Sequence, residues 1–270
     1  MEEFFVEVEE NVKLYVSDTG GKGDVLVFIP GFTFTSEVFH HQVNYFSTNY
    51  RVIVIDPRSH GKSTKTAHGN DYVTHGTDLH KVLKKLSLTN VHLVGWSFGC
   101  LTIWEYVKQF GSDNIKSSIL IDMPPKSLSV NENDWVEGKL DDMANVYHTS
   151  LRDINGQKDF ITSYTQNVMI QRELSGSELN WIIDQSLITP SHIAASLFAS
   201  GLFSDYRIEA KQLDSEIPTL FVIAEHWSDV AKPYLNQLVP KAEIEVLGGH
   251  MMFWEYPEKF NALLKDFLRN

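Results

Sequence analysis

The chain has 270 residues, 43% of them hydrophobic and 12% aromatic, and its 23 basic against 35 acidic side chains give a formal net charge of −12. That balance speaks against nucleic acid and anionic membrane surfaces as partners. The single cysteine, Cys100, rules out an intramolecular disulfide and fits a reducing compartment.

The N-terminal Met1-Glu2-Glu3-Phe4 has neither the basic start nor the apolar stretch of a leader. No apolar run reaches the length of a membrane span, so a cytoplasmic protein is expected. Residues 3–9 and 12–17 read as an antiparallel pair around a turn at Glu10-Asn11. Five runs follow that are too continuously apolar for a one-sided sheet: Val25–Ile29, Val52–Ile55, Val91–Val94, Ile119–Ile121 and Leu220–Ile223. Such runs suit parallel strands covered by helices on both faces. Between them lie helical patterns. Leu79, Val82, Leu83 and Leu86 share one face, as do Phe260, Leu263, Leu264 and Phe267 in a helix opened by Pro257. Strand alternating with helix predicts an α/β protein with a doubly wound, mostly parallel sheet.

The alternation lapses between residues 126 and 213. Helix starts appear there instead: a capping box at Ser175-Gly-Ser-Glu178, and Thr189 as N-cap with Pro190 as the first helical residue. The stretch 126–213 is therefore expected to be a helical cap insertion in a core formed by 1–125 and 214–270.

Gly95-Trp96-Ser97-Phe98-Gly99 follows the strand run Val91–Val94 and precedes a helical pattern of Leu101, Ile103, Trp104 and Val107. Gly-x-Ser-x-Gly between strand and helix is a nucleophile elbow, which presents its serine on a sharp, exposed turn. The glycines make room where a side chain would strike the neighbouring strand or helix. Cys100, one place beyond, reads as a packing residue on the buried face of that helix.

Four segments in order carry a resemblance. They are Phe28-Ile29-Pro30-Gly31-Phe32, Asp56-Pro57-Arg58-Ser59-His60-Gly61-Lys62-Ser63, the elbow itself, and Gly248-Gly249-His250. Over nearly its whole length the chain resembles the α/β-hydrolase superfamily. The resemblance implies the α/β-hydrolase fold and a Ser…acid…His relay in that order. Ser97 would be the nucleophile and His250 the base that takes its proton. His250 follows two glycines that permit a tight approach and precedes Met251-Met252-Phe253-Trp254, which would pack its loop down. Of the other histidines, His40-His41 read as the end of a helix, His60 as a turn residue, and His75 and His80 as helical. None has metal-site spacing, so neither a catalytic metal nor a cofactor is expected.

The acid is open. The commoner position follows Leu220–Ile223, where the turn reads Ala224-Glu225-His226-Trp227-Ser228-Asp229, without the usual glycine. Asp229 precedes His250 by only 21 residues. Asp122 ends the strand before the insertion, 25 residues after Ser97. Its string Ile121-Asp122-Met123-Pro124-Pro125-Lys126 resembles an esterase-like branch with the acid at that strand's end. The edge it occupies is where ligands sit in open α/β sheets. Asp122 is the leading candidate, Asp229 the alternative, and Glu225 a third.

The oxyanion would be held by the backbone N–H groups of Phe98 and Phe32. Pro30 has no N–H and can only stiffen its loop. A pocket floor of Phe32, Trp96, Phe98, Met123 and Met251 is expected, with Trp135, Tyr147, Phe160 and Tyr164 supplied by the cap. The cap residues fit packing between cap and sheet equally well. An apolar, aromatic pocket favours a small hydrophobic molecule as partner. The implied activity is carboxylic ester hydrolysis through an acyl-enzyme. Two alternatives stand beside it. Cofactor-independent dioxygenases share the fold but flank the serine with histidines, where this chain has Trp96 and Phe98. Ligand receptors with an intact triad are the other. The sequence does not fix oligomeric state.

Overall fold

The computed structural model describes residues 1–269. One eight-stranded sheet runs through the molecule. Its strands are β1 (Glu2–Glu9), β2 (Val12–Asp18), β3 (Val25–Ile29), β4 (Arg51–Ile55), β5 (Val91–Trp96), β6 (Ile115–Ile121), β7 (Thr219–Ile223) and β8 (Glu243–Val246). The spatial order is β1-β2-β4-β3-β5-β6-β7-β8. β1 and β2 form the antiparallel hairpin, β2 joins β4 antiparallel, and the pairings from β4 through β8 are parallel. β8 is absent from the sequence-based expectation. Its Glu-Ile-Glu-Val is four residues at the sheet edge with both glutamates exposed, so it lacks the continuous apolar run that marks the inner strands.

The two faces of the sheet carry separate cores. Val27, Ile29, Ile53, Ile55 and Leu93 point one way, toward a layer that includes α2 (Tyr72–Lys85) and α3 (Gly99–Phe110). Leu26, Phe28, Val52, Val54 and Val94 point the other way. They meet α1 (His40–Phe46), α10 (Met252–Glu255) and α11 (Pro257–Arg269). Alternation along each strand does this without any polar face, because both faces are covered. His40 caps the 3-10 helix Ser36–Phe39 and also begins α1, so helical structure continues past His40-His41.

Between β6 and β7 run α4 (Leu140–Ser150), α5 (Ile154–Tyr164), α6 (Gly176–Leu187), α7 (Ser191–Leu202) and α8 (Arg207–Glu216), with α9 (Ser228–Leu238) following β7. The Ser175–Glu178 capping box opens α6 with both reciprocal bonds formed. Pro190 is the N-cap of α7, not its first helical residue, so the helix starts at Ser191, one place later than expected. Thr189 turns inward instead, its hydroxyl donating to Thr33 O at 3.0 Å. α8 crosses the expected return to the core at 213/214. It buries Ala210 and Leu213 in the same core as α3, so it belongs to the layer flanking the sheet.

Among the described residues no helix is long and apolar enough to cross a membrane.

Candidate active site

Chain order reverses across the sheet at β3: β4 lies on one side and β5 on the other. Loops leaving the C-terminal ends of β3 and β5 diverge there and leave a crevice, the usual ligand position in open α/β sheets. Ser97 sits at that place. Its φ of 52° is left-handed, a conformation a serine holds only when its surroundings fix it. Ser97 N donates to Ile121 O at 2.7 Å, and Ser97 O accepts from Cys100 N at 2.8 Å to start α3. The flanking glycines are steric necessities. A Cβ on Gly95 would stand 2.9 Å from Cys100 N, and one on Gly99 would collide with the carbonyls of Ile29 and Pro30. Cys100 is fully buried, and burial pushes its thiol well above the ordinary range, which suits packing and not nucleophilic work.

Asp122 follows β6 directly and is also left-handed, with φ 49°. Its backbone N–H donates to Val222 O at 2.8 Å. Its Oδ1 accepts from Ala224 N at 2.8 Å, and its Oδ2 lies 2.6 Å from His250 Nδ1. Both side chains are buried. The carboxylate is thus held from one side by the end of β7, leaving one orientation for the imidazole. His250 is fixed from the backbone as well. Its carbonyl accepts from Trp96 Nε1 at 2.8 Å, and its N–H donates to Val168 O at 3.1 Å. Gly249 lets this happen, since a Cβ there would lie 2.5 Å from Met169 O.

The two rival acids lie elsewhere. Asp229 is exposed in the first turn of α9 and makes no bond to His250. Glu225 is exposed and props the histidine loop from outside, accepting from Gly248 N at 3.3 Å and from Gln171 Nε2 at 2.9 Å.

Ser97, Asp122 and His250 line one cavity of about 260 Å³. Trp96, Phe32 and Phe98 line it too, as do Trp135, Phe160 and Tyr164 from the β6–β7 segment. The rings of Phe32 and Phe98 are 5.5 Å apart, and Tyr164 sits edge-on to His250 at 5.5 Å. The N–H groups of Phe32 and Phe98 bond to no other described residue. Three expected pocket residues are not in the wall. Met123 and Met251 are fully buried behind it, in the cores on opposite faces of the sheet. Tyr147 is 42% exposed, on the outside of α4.

Glu137 is the charged wall residue that sequence reasoning missed; Phe34, Phe198 and Trp227 are among the apolar ones. Glu137 sits among Asn131–Leu140, a polar stretch that reads as solvated loop, and only the adjacent Trp135-Val136 hints at burial. Burial pushes its carboxyl up to about 7. Also unforeseen are the ties from the β6–β7 segment to the core. Thr33 Oγ1 meets Ser186 Oγ at 2.5 Å, and the buried Glu255 carboxylate accepts from the N–H groups of Gln171 and Arg172 at 2.9 and 2.8 Å. Among the described residues, no group of three or more His, Cys, Asp or Glu side chains is disposed to hold a metal ion.

Residues 24–257 match the family model described as the alpha/beta hydrolase fold, and the chain belongs to that family. A non-heme chloroperoxidase of Kitasatospora aureofaciens is 26% identical over 276 residues, covering 96% of this chain and 97% of that one. A bromoperoxidase from Bacillus anthracis superposes with a TM-score of 0.88 at 21% identity, over 100% of both chains. An esterase from Exiguobacterium antarcticum superposes equally well, TM-score 0.88 at 23% identity, over 98% of this chain and 99% of that one. At such identities these two superpositions establish the fold alone.

Proposed function

We propose that the chain is a serine hydrolase that cleaves carboxylic esters of small, largely apolar substrates through an acyl-enzyme. The observation that carries this reading is the 2.6 Å bond from His250 Nδ1 to Asp122 Oδ2, in the wall of the cavity that also holds Ser97 on its strained turn. With Nδ1–H donated to the carboxylate, Nε2 is the basic nitrogen. It takes the Ser97 hydroxyl proton as Oγ attacks the ester carbonyl, once substrate brings Oγ and Nε2 into hydrogen-bonding reach. The N–H groups of Phe98 and Phe32 receive the developing oxyanion, being already freed from other partners. The imidazolium, stabilised by Asp122, then gives its proton to the leaving alcohol. Water repeats the sequence on the acyl-enzyme and releases the acid, restoring Ser97.

An esterase is among the structural neighbours, and the aromatic wall supports an apolar acyl or alcohol group. The test is covalent labelling with a fluorophosphonate probe, followed by turnover of aryl esters of graded acyl length. Labelling confined to Ser97, with many turnovers per site, is expected. Labelling with no more than a single slow turnover would make the protein a receptor, and no labelling would remove Ser97 as nucleophile.

A further inference from the structure

The cavity wall is built from aromatic and aliphatic side chains, the Ser97, Asp122 and His250 groups, and one more carboxylate, Glu137. No lysine or arginine lines it. Asp122 already spends both oxygens on His250 and Ala224 N. Glu137 spends neither of its own: its carboxyl accepts no hydrogen bond from any described residue. The nearby Lys126 is turned to Asp134, 3.7 Å away. Nor is the position loose. Glu137 N donates to Ser127 O at 3.0 Å, Ser127 Oγ donates to Gly201 O at 2.7 Å, and Trp135 is buried in the core two residues before. A half-buried carboxyl is therefore held without a hydrogen-bond partner in a largely apolar chamber, within reach of the charges of His250 and Asp122.

An unpaired carboxyl in such a place is costly unless something fills its bonding capacity. The aromatic rings that share the cavity wall with it narrow what that can be. Rings such as Trp135, Phe160, Tyr164 and Trp227 offer negative π-faces, and together with a carboxylate they suit a weakly hydrated cation. An anion would meet two carboxylates and no positive side chain. We propose that Glu137 is a specificity-determining residue for the site, and that the preferred substrates are esters bearing an ammonium-type cation on the acyl or alcohol portion. This rests on the esterase reading for its substrate, though not for its binding chemistry. The raised Glu137 carboxyl agrees with it: burial favours the neutral form in the empty cavity, and an entering cation would draw out the charged one.

The experiment uses two esters of equal shape, 4-nitrophenyl 4-(trimethylammonio)butanoate and 4-nitrophenyl 5,5-dimethylhexanoate, which differ only in nitrogen against carbon. The ratio of their kcat/KM values is measured at pH 8 in the wild type and in Glu137→Gln. The wild type should favour the cationic ester by roughly tenfold or more, and the variant should bring the ratio close to one. A ratio that Glu137→Gln leaves unchanged overturns the proposal.

A second arm needs no turnover. Binding of phenyltrimethylammonium is followed by tryptophan fluorescence, since Trp96, Trp135 and Trp227 line the cavity. Glu137→Gln should raise its Kd about tenfold. Equal dissociation constants, or no binding to the wild type, refute the cation site whether or not any ester is cleaved. Binding without cleavage of either ester would leave the cation site standing and defeat the esterase reading alone.

Discussion

The sheet and the β6–β7 segment are built on opposite terms, and the site lies where they meet. The sheet side is over-determined. Its inner strands are buried on both faces, and Ser97 and Asp122 both hold left-handed backbone tied by hydrogen bonds to the adjacent strands. The segment side is looser in sequence and in packing. α4 buries no side chain, and α5 buries only Gln157 and Ile161. The segment's later helices anchor it: α6 buries Ile182 and Ile183 and α7 buries Ile193, Leu197 and Leu202, with polar ties such as Ser186 to Thr33 and the Gln171 and Arg172 amides to Glu255 beside them. The comparison suggests a division of labour in which the sheet fixes the reacting groups and the segment supplies the wall that chooses the substrate. Substitutions on the sheet side should then cost turnover or stability, and substitutions in the segment should alter selection.

The largest effect is expected at Ser97. Ser97→Ala should lower kcat for an aryl ester by about 10⁶-fold, the usual loss of a triad nucleophile, with an unchanged circular dichroism spectrum. Retention of a tenth of the activity would break the assignment of reaction to the sheet. Next comes Gly99→Ala, which pushes a methyl against two backbone carbonyls that cannot move without shifting β3. A loss of about 3 kcal/mol in urea unfolding is expected. An unaffected midpoint would show that the elbow is less tightly built than its contacts suggest.

The segment should respond differently. Phe160 lines the cavity and stacks on Tyr164 with ring centroids 5.6 Å apart, one ring removed from His250. Phe160→Ala should raise KM about tenfold while kcat stays within about threefold, because uniform binding is lost and transition-state contacts are not. A fall in kcat with constant KM would mean that the segment takes part in chemistry.

The smallest effects are in the pH dependence of stability, and the two regions should pull in opposite directions. His60 and His92, buried on the sheet side, are held down to about 4 by desolvation, against an ordinary value of 6.5. The unfolded chain binds those protons more readily, so stability should fall as pH drops below about 6.5. Glu137 has the reverse sign. Burial lifts it from 4.5 to about 7, so the folded protein holds that proton more tightly, and stability should fall as pH rises from 4.5 to 7. The difference in Tm between Glu137→Gln and the wild type should widen across that window and level off above it. A constant difference from pH 5 to 8 would contradict the half-buried, desolvated carboxyl.

The same division decides what was legible in the chain. Continuous apolar runs and the Gly-x-Ser-x-Gly turn are imposed by burial and close approach, so β3 to β7 and the Ser97 corner can be read from residue types alone. β8 escaped because an edge strand of alternating glutamates carries little apolar signal. Met123 and Met251 adjoin functional positions in the chain, yet their side chains turn into cores on either side of the sheet. Neighbourhood in sequence does not tell which face of the sheet a side chain turns to where the chain bends after a strand. Glu137 was invisible for a related reason: its burial depends on how the 126–139 loop folds back over the cavity, and no periodicity announces that.

The central claim is that Asp122, not the residue after β7, orients His250. It is tested by kcat for aryl ester hydrolysis in Asp122→Asn and Asp229→Asn, measured side by side at pH 8. The geometry predicts a loss on the order of 10⁴-fold for Asp122→Asn, as when a triad acid is removed, and a change of no more than about tenfold for Asp229→Asn. A crippled Asp229→Asn beside a nearly intact Asp122→Asn would contradict the account.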